Sequence, residues 1–206
     1  MNISSRMLRF TRIAILVALI FLLSMIPIKF ALAHIPVIIG ASLFGPAAGA
    51  VLGFFFGLSE FMRALNGTVL LPEIAFAEAP AIYTLICFGT RILMGWLTGL
   101  MASAFKKKAE KKALAADRTS SMSLVQYGCT GFLGSMLNTV LYLGSFLVLL
   151  TDVIAGQATE GTNVFVYVVI LAVFFGIPEA LISSVLVPAI CRAMDVIFRR
   201  LPTPKS

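Results

Sequence analysis

Charged residues are scarce in this chain, and their scarcity argues against a soluble fold. Lys, Arg, Asp and Glu make up 12% of the 206 residues, whereas 60% are hydrophobic. A soluble domain has about 25% charged and about 45–50% apolar residues. Apolar runs of about 20 residues, the length that crosses a bilayer as a helix, recur along the sequence. The composition therefore predicts an all-α integral membrane protein embedded in the lipid bilayer.

Groups that bind metals or perform nucleophilic catalysis are also few. The chain has one histidine, His34, and three cysteines, Cys87, Cys129 and Cys191, with no CxxC spacing. It contains no HExxH sequence, no P-loop and no Ser-His-Asp order. These absences argue against a metal site, a bound cofactor and an enzymatic activity.

Basic residues outnumber acidic ones by 16 to 9, and they are grouped. One group precedes the first apolar run, one lies in the loop 106–123, and one lies at the C-terminus. A net charge of +7 can indicate a nucleic-acid partner. Basic groups separated by apolar runs are instead typical of positive charge on the cytoplasmic side of a membrane. We therefore expect no nucleic-acid partner.

The apolar run 35–62 decides the number of spans, because Gly45-Pro46 interrupts it. One unbroken span would give five in total and would place the basic loop 106–123 outside. A split gives six transmembrane helices with both termini and this loop in the cytoplasm. The second helix, Phe30–Phe44, would then be about 22 Å long and too short to cross alone. We predict a single domain, residues 1–206, with spans near 13–28, 30–44, 46–62, 80–105, 124–150 and 164–191.

Two connections lie on the predicted outer side, and the first of them is too apolar for a solvated tether. Residues 66–80 read NGTVLLPEIAFAEAP, with apolar side chains between two carboxylates and two prolines. Residues 151–163 read TDVIAGQATEGTN, a polar turn that contains glycine. Loops of this kind can act as lids over a site.

Arg91 is the polar residue that most needs an explanation, because it lies about nine residues into an apolar run. A charge at this depth costs at least about 2.5–3.5 kcal/mol on insertion scales. One interpretation is that Arg91 binds an anionic group of a ligand. The other is a structural ion pair with Glu179 or Glu60.

Further polar side chains fall within the predicted spans. Asn138 lies one turn from Tyr142 on one helix face, and Trp96 lies five residues beyond Arg91. Glu179 follows Pro178, and a proline frees a carbonyl one turn earlier. Glu60 lies three residues before Arg63 and can pair with it. The candidate binding residues are Arg91, Asn138, Tyr142, Glu179, Glu60 and Trp96.

Small residues recur at intervals of four. They are Gly49, Gly53 and Gly57 in one run, Gly95 and Gly99 in the next, and Ala14 and Ala18 in the first. Stripes of this kind let helices approach closely, either within the chain or with a partner.

The stretch from His34 to Ser59, HIPVIIGASLFGPAAGAVLGFFFGLS, resembles the second and third helices of the substrate-binding S components of energy-coupling factor (ECF) vitamin transporters. The six-span plan, the basic loop after the fourth span and Ala14-xxx-Ala18 also match that family. Within that family, this stretch is most similar in sequence to the pantothenate-type members. Glu179 stands where the riboflavin members usually have a lysine, which argues against riboflavin.

The resemblance implies a function that spacing alone does not reveal. S components bind a vitamin in an outward-facing pocket, covered by the loops after helices one, three and five. They dock through Ala14 and Ala18 on a membrane coupling protein that two ATPase subunits drive. ATP is hydrolysed by those partners and not by the S component.

We therefore expect a substrate-binding subunit of an ATP-driven vitamin importer in a bacterial plasma membrane, with pantothenate as its substrate. A first alternative is an S component for another vitamin, such as riboflavin, folate or cobalamin. An alternative from a different class is a membrane enzyme acting on lipid, with Glu60, Glu179 and His34 as its polar centre.

The predicted topology has a direct test in reporter fusions. A reporter fused at Ala113 should be active in the cytoplasm, because the positive-inside rule places the basic loop there. A reporter fused at Gly156 should be active outside. External activity at Ala113 would contradict the six-span arrangement.

Overall fold

The regular structure of this chain is helical throughout the part that a computed structural model describes, residues 5–26, 32–67, 70–115, 122–157 and 163–200. The helices in chain order are α1 (Ser5–Met25), α2 (His34–Phe44), α3 (Pro46–Leu65), α4 (Leu70–Glu78), α5 (Pro80–Ala115), α6 (Leu124–Leu149), α7 (Thr151–Ala155), α8 (Val164–Leu171), a π-helical segment (Ala172–Gly176) and α9 (Ile177–Arg200).

Within those residues, five helical stretches are long and apolar enough to cross a membrane. They are α1, α3, α5, α6 and the continuous run formed by α8, the π-helical segment and α9. Helix α2 is a shorter apolar helix of 11 residues. The all-α membrane class is therefore confirmed, whereas the six-span count and the cytoplasmic placement of the termini stay predictions.

The split at Gly45-Pro46 is present in the structure. Gly45 has a φ of 89°, a left-handed conformation that glycine adopts without steric cost. Its N–H donates to the carbonyl of Ala41 at 3.0 Å and closes α2. Pro46 then opens α3 at a first-turn position, where its missing N–H costs nothing. The two residues therefore end one helix and begin the next without a loop between them.

Helix α2 begins later than the predicted Phe30. Leu32 and Ala33 form a turn, and the first helical residue is His34. Pro36 explains the position, because proline is accepted in the first turn of a helix but not in its interior. At 1.5 Å per residue, α2 is only about 16 Å long. The predicted end of the first span and the predicted start of the second fall on residues 27–31, which lie outside the described part of the chain.

Helix α5 ends later than the predicted Phe105, since it continues to Ala115. The predicted loop 106–123 is therefore helical over its first part. Lys, Glu and Ala are strong helix formers, and no Gly or Pro interrupts residues 106–115. The basic residues Lys106 to Lys111 extend this helix beyond its apolar part.

Three hydrogen bonds join neighbouring helices at the end of the bundle where the basic groups lie. Nη2 of Arg9 donates to the carbonyl of Phe44 at 2.9 Å. Nε2 of Gln126, at the start of α6, donates to the carbonyl of Phe105 at 3.3 Å. The hydroxyl of Tyr127 donates to Oδ2 of Asp195 on α9 at 2.8 Å. We call this end of the bundle the basic end and the opposite end the distal end.

The distal end is covered by α4 and α7, two short helices that lie within the predicted outer connections. Ala75 of α4 and Ile154 of α7 are fully buried, in one apolar cluster with Tyr83 of α5 and Phe146 of α6. The sequence predicted lids here without predicting helices. Both short helices therefore pack on the bundle as structured covers.

Helices α3 and α5 meet along the predicted glycine stripe. A Cβ at Gly53 would collide with the carbonyl oxygen of Arg91, and one at Gly49 with that of Gly95. A Cβ at Gly57 would lie 2.8 Å from the carbonyl oxygen of Cys87. The small residues of α3 therefore serve packing within the chain.

This contact predicts a large difference between two glycine substitutions. Gly53→Ala should lower the free energy of unfolding by about 1–3 kcal/mol, because its methyl group meets rigid backbone. Gly89→Ala, on α5 with open space around it, should be neutral or raise stability by up to about 1 kcal/mol. Thermal unfolding of both variants in detergent measures the difference. Equal shifts would contradict backbone contact at Gly53.

Candidate functional site

Arg91 is held between aromatic rings of two neighbouring helices. Its side chain belongs to α5 and is buried, with 3% of the residue exposed. The guanidinium carbon Cζ lies 4.1 Å from the ring centroid of Tyr142 on α6. It lies 4.8 Å from the ring centroid of Phe56 on α3. Each ring attracts the cation through its π face, so the guanidinium has a fixed place.

The rings do not satisfy the hydrogen-bonding groups of Arg91. Neither Nε nor Nη1 has a hydrogen-bond partner among the described residues. A buried donor without a partner is costly, and a buried charge is more so. Exceptions of this kind in a native fold call for an explanation.

The face of α6 that is turned toward Arg91 carries further polar groups without hydrogen-bond partners among the described residues. Asn138 lies one turn from Tyr142 and is 5% exposed, and its Oδ1 has no hydrogen-bond partner in the described part of the chain. Ser135 lies on the adjoining turn, fully buried, and its Oγ is likewise without a partner there. Arg91, Asn138 and Ser135 thus each carry a buried polar group without a partner among the described residues.

A chain of aromatic contacts closes the distal side of this site. The ring of Tyr142 contacts Phe146 at 4.8 Å between centroids. Phe146 contacts Tyr83, and Tyr83 contacts Phe76 of α4, each at 6.2 Å. Helix α4 is thereby tied by packed rings to the residue that stacks on Arg91.

Comparison with protein families gives a match over most of the chain. The model of the family "ECF transporter, substrate-specific component" matches residues 8–191. The chain belongs to this family. No curated protein matches the chain.

Membership confirms the family resemblance drawn from residues 34–59. A substrate-specific component, or S component, is the substrate-binding membrane subunit of an ECF transporter. Such subunits are not enzymes. The alternative of a lipid-modifying enzyme centred on Glu60, Glu179 and His34 is therefore set aside.

Glu60 of this S component is placed by a local ion pair. Its Oε1 accepts from Nη1 of Arg63 at 2.9 Å, three residues along α3. The pairing that the spacing suggested is thus present. Glu60 lies one turn beyond Phe56 on the same helix, near the Arg91 site, with its charge balanced locally.

Glu179 is brought into the interior by an irregular span. Residues Ala172–Gly176 form a π-helical turn that ends two residues before Pro178. Segments of this type often occur at functional positions. Glu179 is buried, with 5% exposed, and Ser183 follows one turn later on the same face. The hydroxyl of Ser183 lies 2.9 Å from Nε2 of His34 on α2. The face of α9 that carries Glu179 therefore points toward the centre of the bundle.

Trp96 lies apart from the other candidates. It is 44% exposed on the outside of α5, so the structure does not bring it to Arg91. Five residues correspond to about 140° around a helix, which turns its side chain to another face. Phe56 and Ser135, which do lie at the site, were not predicted. A phenylalanine in an apolar run and a serine in a helix carry no signal of their own.

Ala14 and Ala18 lie on the exposed surface of α1. No helix of the described chain covers them, and neighbouring apolar residues of α1 such as Ile15 are exposed as well. The surface is thus open to lipid or to a partner. Among the described residues there is also no group of three or more His, Cys, Asp or Glu side chains able to hold a metal ion.

Proposed function

We propose that this S component binds a small anionic vitamin, pantothenate, and delivers it to an ECF transporter in the bacterial plasma membrane. The observation that carries the proposal is the buried guanidinium of Arg91, whose Nε and Nη1 have no partner among the described residues. The carboxylate of the vitamin would supply the missing acceptors. A charge-assisted hydrogen bond of this kind is about twice as strong as a neutral one.

The remaining features of the site suit the rest of this ligand. Pantothenate has a carboxylate at one end, an amide in the middle and two hydroxyl groups at the other end. Asn138 offers a carbonyl oxygen to an amide N–H, and the rings of Phe56 and Tyr142 offer apolar surface. Another vitamin with a carboxylate is the alternative, and a panel of vitamins in a thermal-shift screen separates the two.

Arg91→Met is the first test of this proposal. Removing one partner of a buried charge pair costs about 2–5 kcal/mol, which is roughly 30-fold to several thousand-fold in affinity. Arg91→Lys should recover only part of the affinity, because a bidentate fork is replaced by a point charge. Isothermal titration of the purified subunit with pantothenate measures both losses.

Two controls make the test specific for the carboxylate. Arg9→Met removes an exposed arginine at the basic end and should leave pantothenate affinity unchanged. Pantothenol, in which an alcohol replaces the carboxylate, should bind the wild type weakly, and Arg91→Met should not change its affinity.

The rival interpretation is that Arg91 only balances the charge of Glu179. Arg91→Met should then destabilise the apo subunit, and the additional change Glu179→Gln should restore its stability. Unchanged pantothenate affinity in a folded Arg91→Met protein would remove Arg91 from the site.

We further propose that the exposed face of α1 docks on the membrane coupling protein that the two ATPase subunits drive. Ala14 and Ala18 present no bulk on this surface, which allows close approach of another helix. Ala14→Trp combined with Ala18→Trp should abolish vitamin uptake by cells, while the isolated subunit keeps its affinity for pantothenate.

A substitution on a helix remote from this face serves as its control. Val185 of α9 is 67% exposed, and the described residues of α9 do not pack against α1. Val185→Trp should leave both uptake and pantothenate binding intact. Loss of binding in the double tryptophan variant would show that the alanine face serves the fold of the subunit itself.

A further inference from the structure

Ser135 has a buried hydroxyl group without a hydrogen-bond partner among the described residues, unlike several other serines and threonines of these helices. A serine or threonine within a helix can donate to the carbonyl four residues earlier. Several do so here, and the pairs include Thr90 to Ile86 at 2.6 Å, Thr130 to Gln126 at 2.8 Å and Ser145 to Leu141 at 2.6 Å. Oγ of Ser135 has no such bond and no other partner among the described residues, although the residue is 0% exposed. Its hydroxyl is therefore directed away from its own helix backbone.

The contacts between α6 and α9 show what Ser135 faces. A Cβ at Gly131 of α6 would collide with the carbonyl oxygen of Ser183 on α9. A Cβ at Gly176 would lie 2.7 Å from Cγ2 of Thr139, two turns along α6. Ser135 lies midway between Gly131 and Thr139 and on the same helix face. It therefore faces α9 midway between Gly176 and Ser183.

The residues midway between those two contacts are Glu179 and Ala180. Glu179 is buried, and Ala180 has no side-chain group beyond Cβ. Ser135 and Glu179 are thereby brought to one level of the bundle, on facing helices. A carboxylate accepts hydrogen bonds only, whereas a hydroxyl both donates and accepts. Together they suit a ligand hydroxyl, which can donate to Glu179 and accept from Ser135.

We infer that Ser135 and Glu179 bind a hydroxyl group of the substrate at a fixed distance from the carboxylate held by Arg91. The inference rests on the proposed function and specifies its substrate as an acid with a remote hydroxyl. Arg91 is level with Tyr142, which it contacts. From Tyr142 to Ser135 the helix advances seven residues toward the basic end, or about 10 Å at 1.5 Å per residue. Asn138 lies between them, at about 6 Å from the level of Tyr142.

The spacing of these groups matches an extended acyl-β-alanine with a terminal hydroxyl. In pantothenate, about three bonds separate the carboxylate carbon from the amide nitrogen, and about eight separate it from the terminal hydroxyl oxygen. Three backbone bonds span 3.8 Å in an extended chain, so eight correspond to roughly 10 Å. The ligand would lie along α6, with its carboxylate toward the distal end and its hydroxyl toward the basic end.

Ser135→Ala tests the inference when it is combined with a ligand that lacks the hydroxyl groups. The probes are pantothenate and N-(3,3-dimethylbutanoyl)-β-alanine, in which hydrogen replaces both hydroxyls. Ser135→Ala should weaken pantothenate by roughly two- to tenfold, the effect of one net hydrogen bond. It should leave the affinity for the dideoxy probe unchanged. Glu179→Gln should also weaken pantothenate more than the dideoxy probe, whereas Arg91→Met should weaken both.

A second readout separates a binding role from a structural one. Removing a buried hydroxyl that has no partner should leave the unfolding temperature of the apo subunit unchanged or raise it. The shift that pantothenate adds to this temperature should decrease. Ser145→Ala is the matched control on α6, because its hydroxyl already bonds to Leu141, and it should leave pantothenate affinity unchanged.

The outcomes distinguish this inference from the function on which it rests. Equal losses for both probes, or no loss for either, in Ser135→Ala would overturn the hydroxyl site. A strong loss in Arg91→Met together with either result would leave the anionic substrate in place and remove the hydroxyl site alone. Absence of pantothenate binding by the wild type would overturn both.

Discussion

The glycines of α3 have no side chains on the face toward α5, so the backbones of the two helices are in contact. This contact fixes the position of Arg91. The carbonyl of Arg91 lies against Gly53, which sets how deep the arginine stands in the bundle. Phe56 follows within one turn of α3 and meets the guanidinium from that side. A larger residue at Gly53 would push α5 outward and would separate the cation from the ring. The position of the Arg91 side chain therefore depends on a packing contact between two helix backbones.

The stability of the fold is distributed unevenly around this contact. Apolar side chains of α1, α2 and α3, including Ile20, Val37 and Leu52, form one core, and the covers at the distal end form another. Between the two lie the polar groups of Arg91, Asn138 and Ser135, which the described protein leaves without full partners. Each of them lowers the stability of the empty subunit. A ligand that satisfies them recovers this free energy as affinity, and the rigid helices hold the groups in place beforehand.

The features that the sequence predicted correctly depend on residues with strong individual preferences for a conformation or an environment. Gly45-Pro46 broke the run 35–62 because neither residue suits a helix interior, and the glycine stripe of α3 indicated close packing. A charge in an apolar run made Arg91 conspicuous, and Tyr142, whose ring lies over it, was among the candidate binding residues. The helical extension to Ala115 was missed because a run of lysines resembles a loop by charge alone.

Other features depend on how the helices pack, and no local pattern carries them. Phe56 and Trp96 are both aromatic residues in apolar runs, yet one stacks on Arg91 and the other faces outward. The rotation of each helix about its axis decides between these positions. Ser135 is similar, since its hydroxyl could have bonded to its own backbone as that of Ser145 does. The fold class was thus accessible from the sequence, whereas the lining of the site was accessible only in part.

The late start of α2 has a consequence for the solvation of the bundle. Measured from the basic end, the helix reaches only about 16 Å, roughly half of a 30 Å hydrocarbon core. Leu32 and Ala33, which lead into it, are a turn and not a helix. Non-helical backbone at membrane depth is stable only when protein surrounds it or when it borders water. Protein meets this requirement here, because Ala33 is 2% exposed and His34 is fully buried. The neighbouring helices therefore shield the backbone that leads into α2 from lipid.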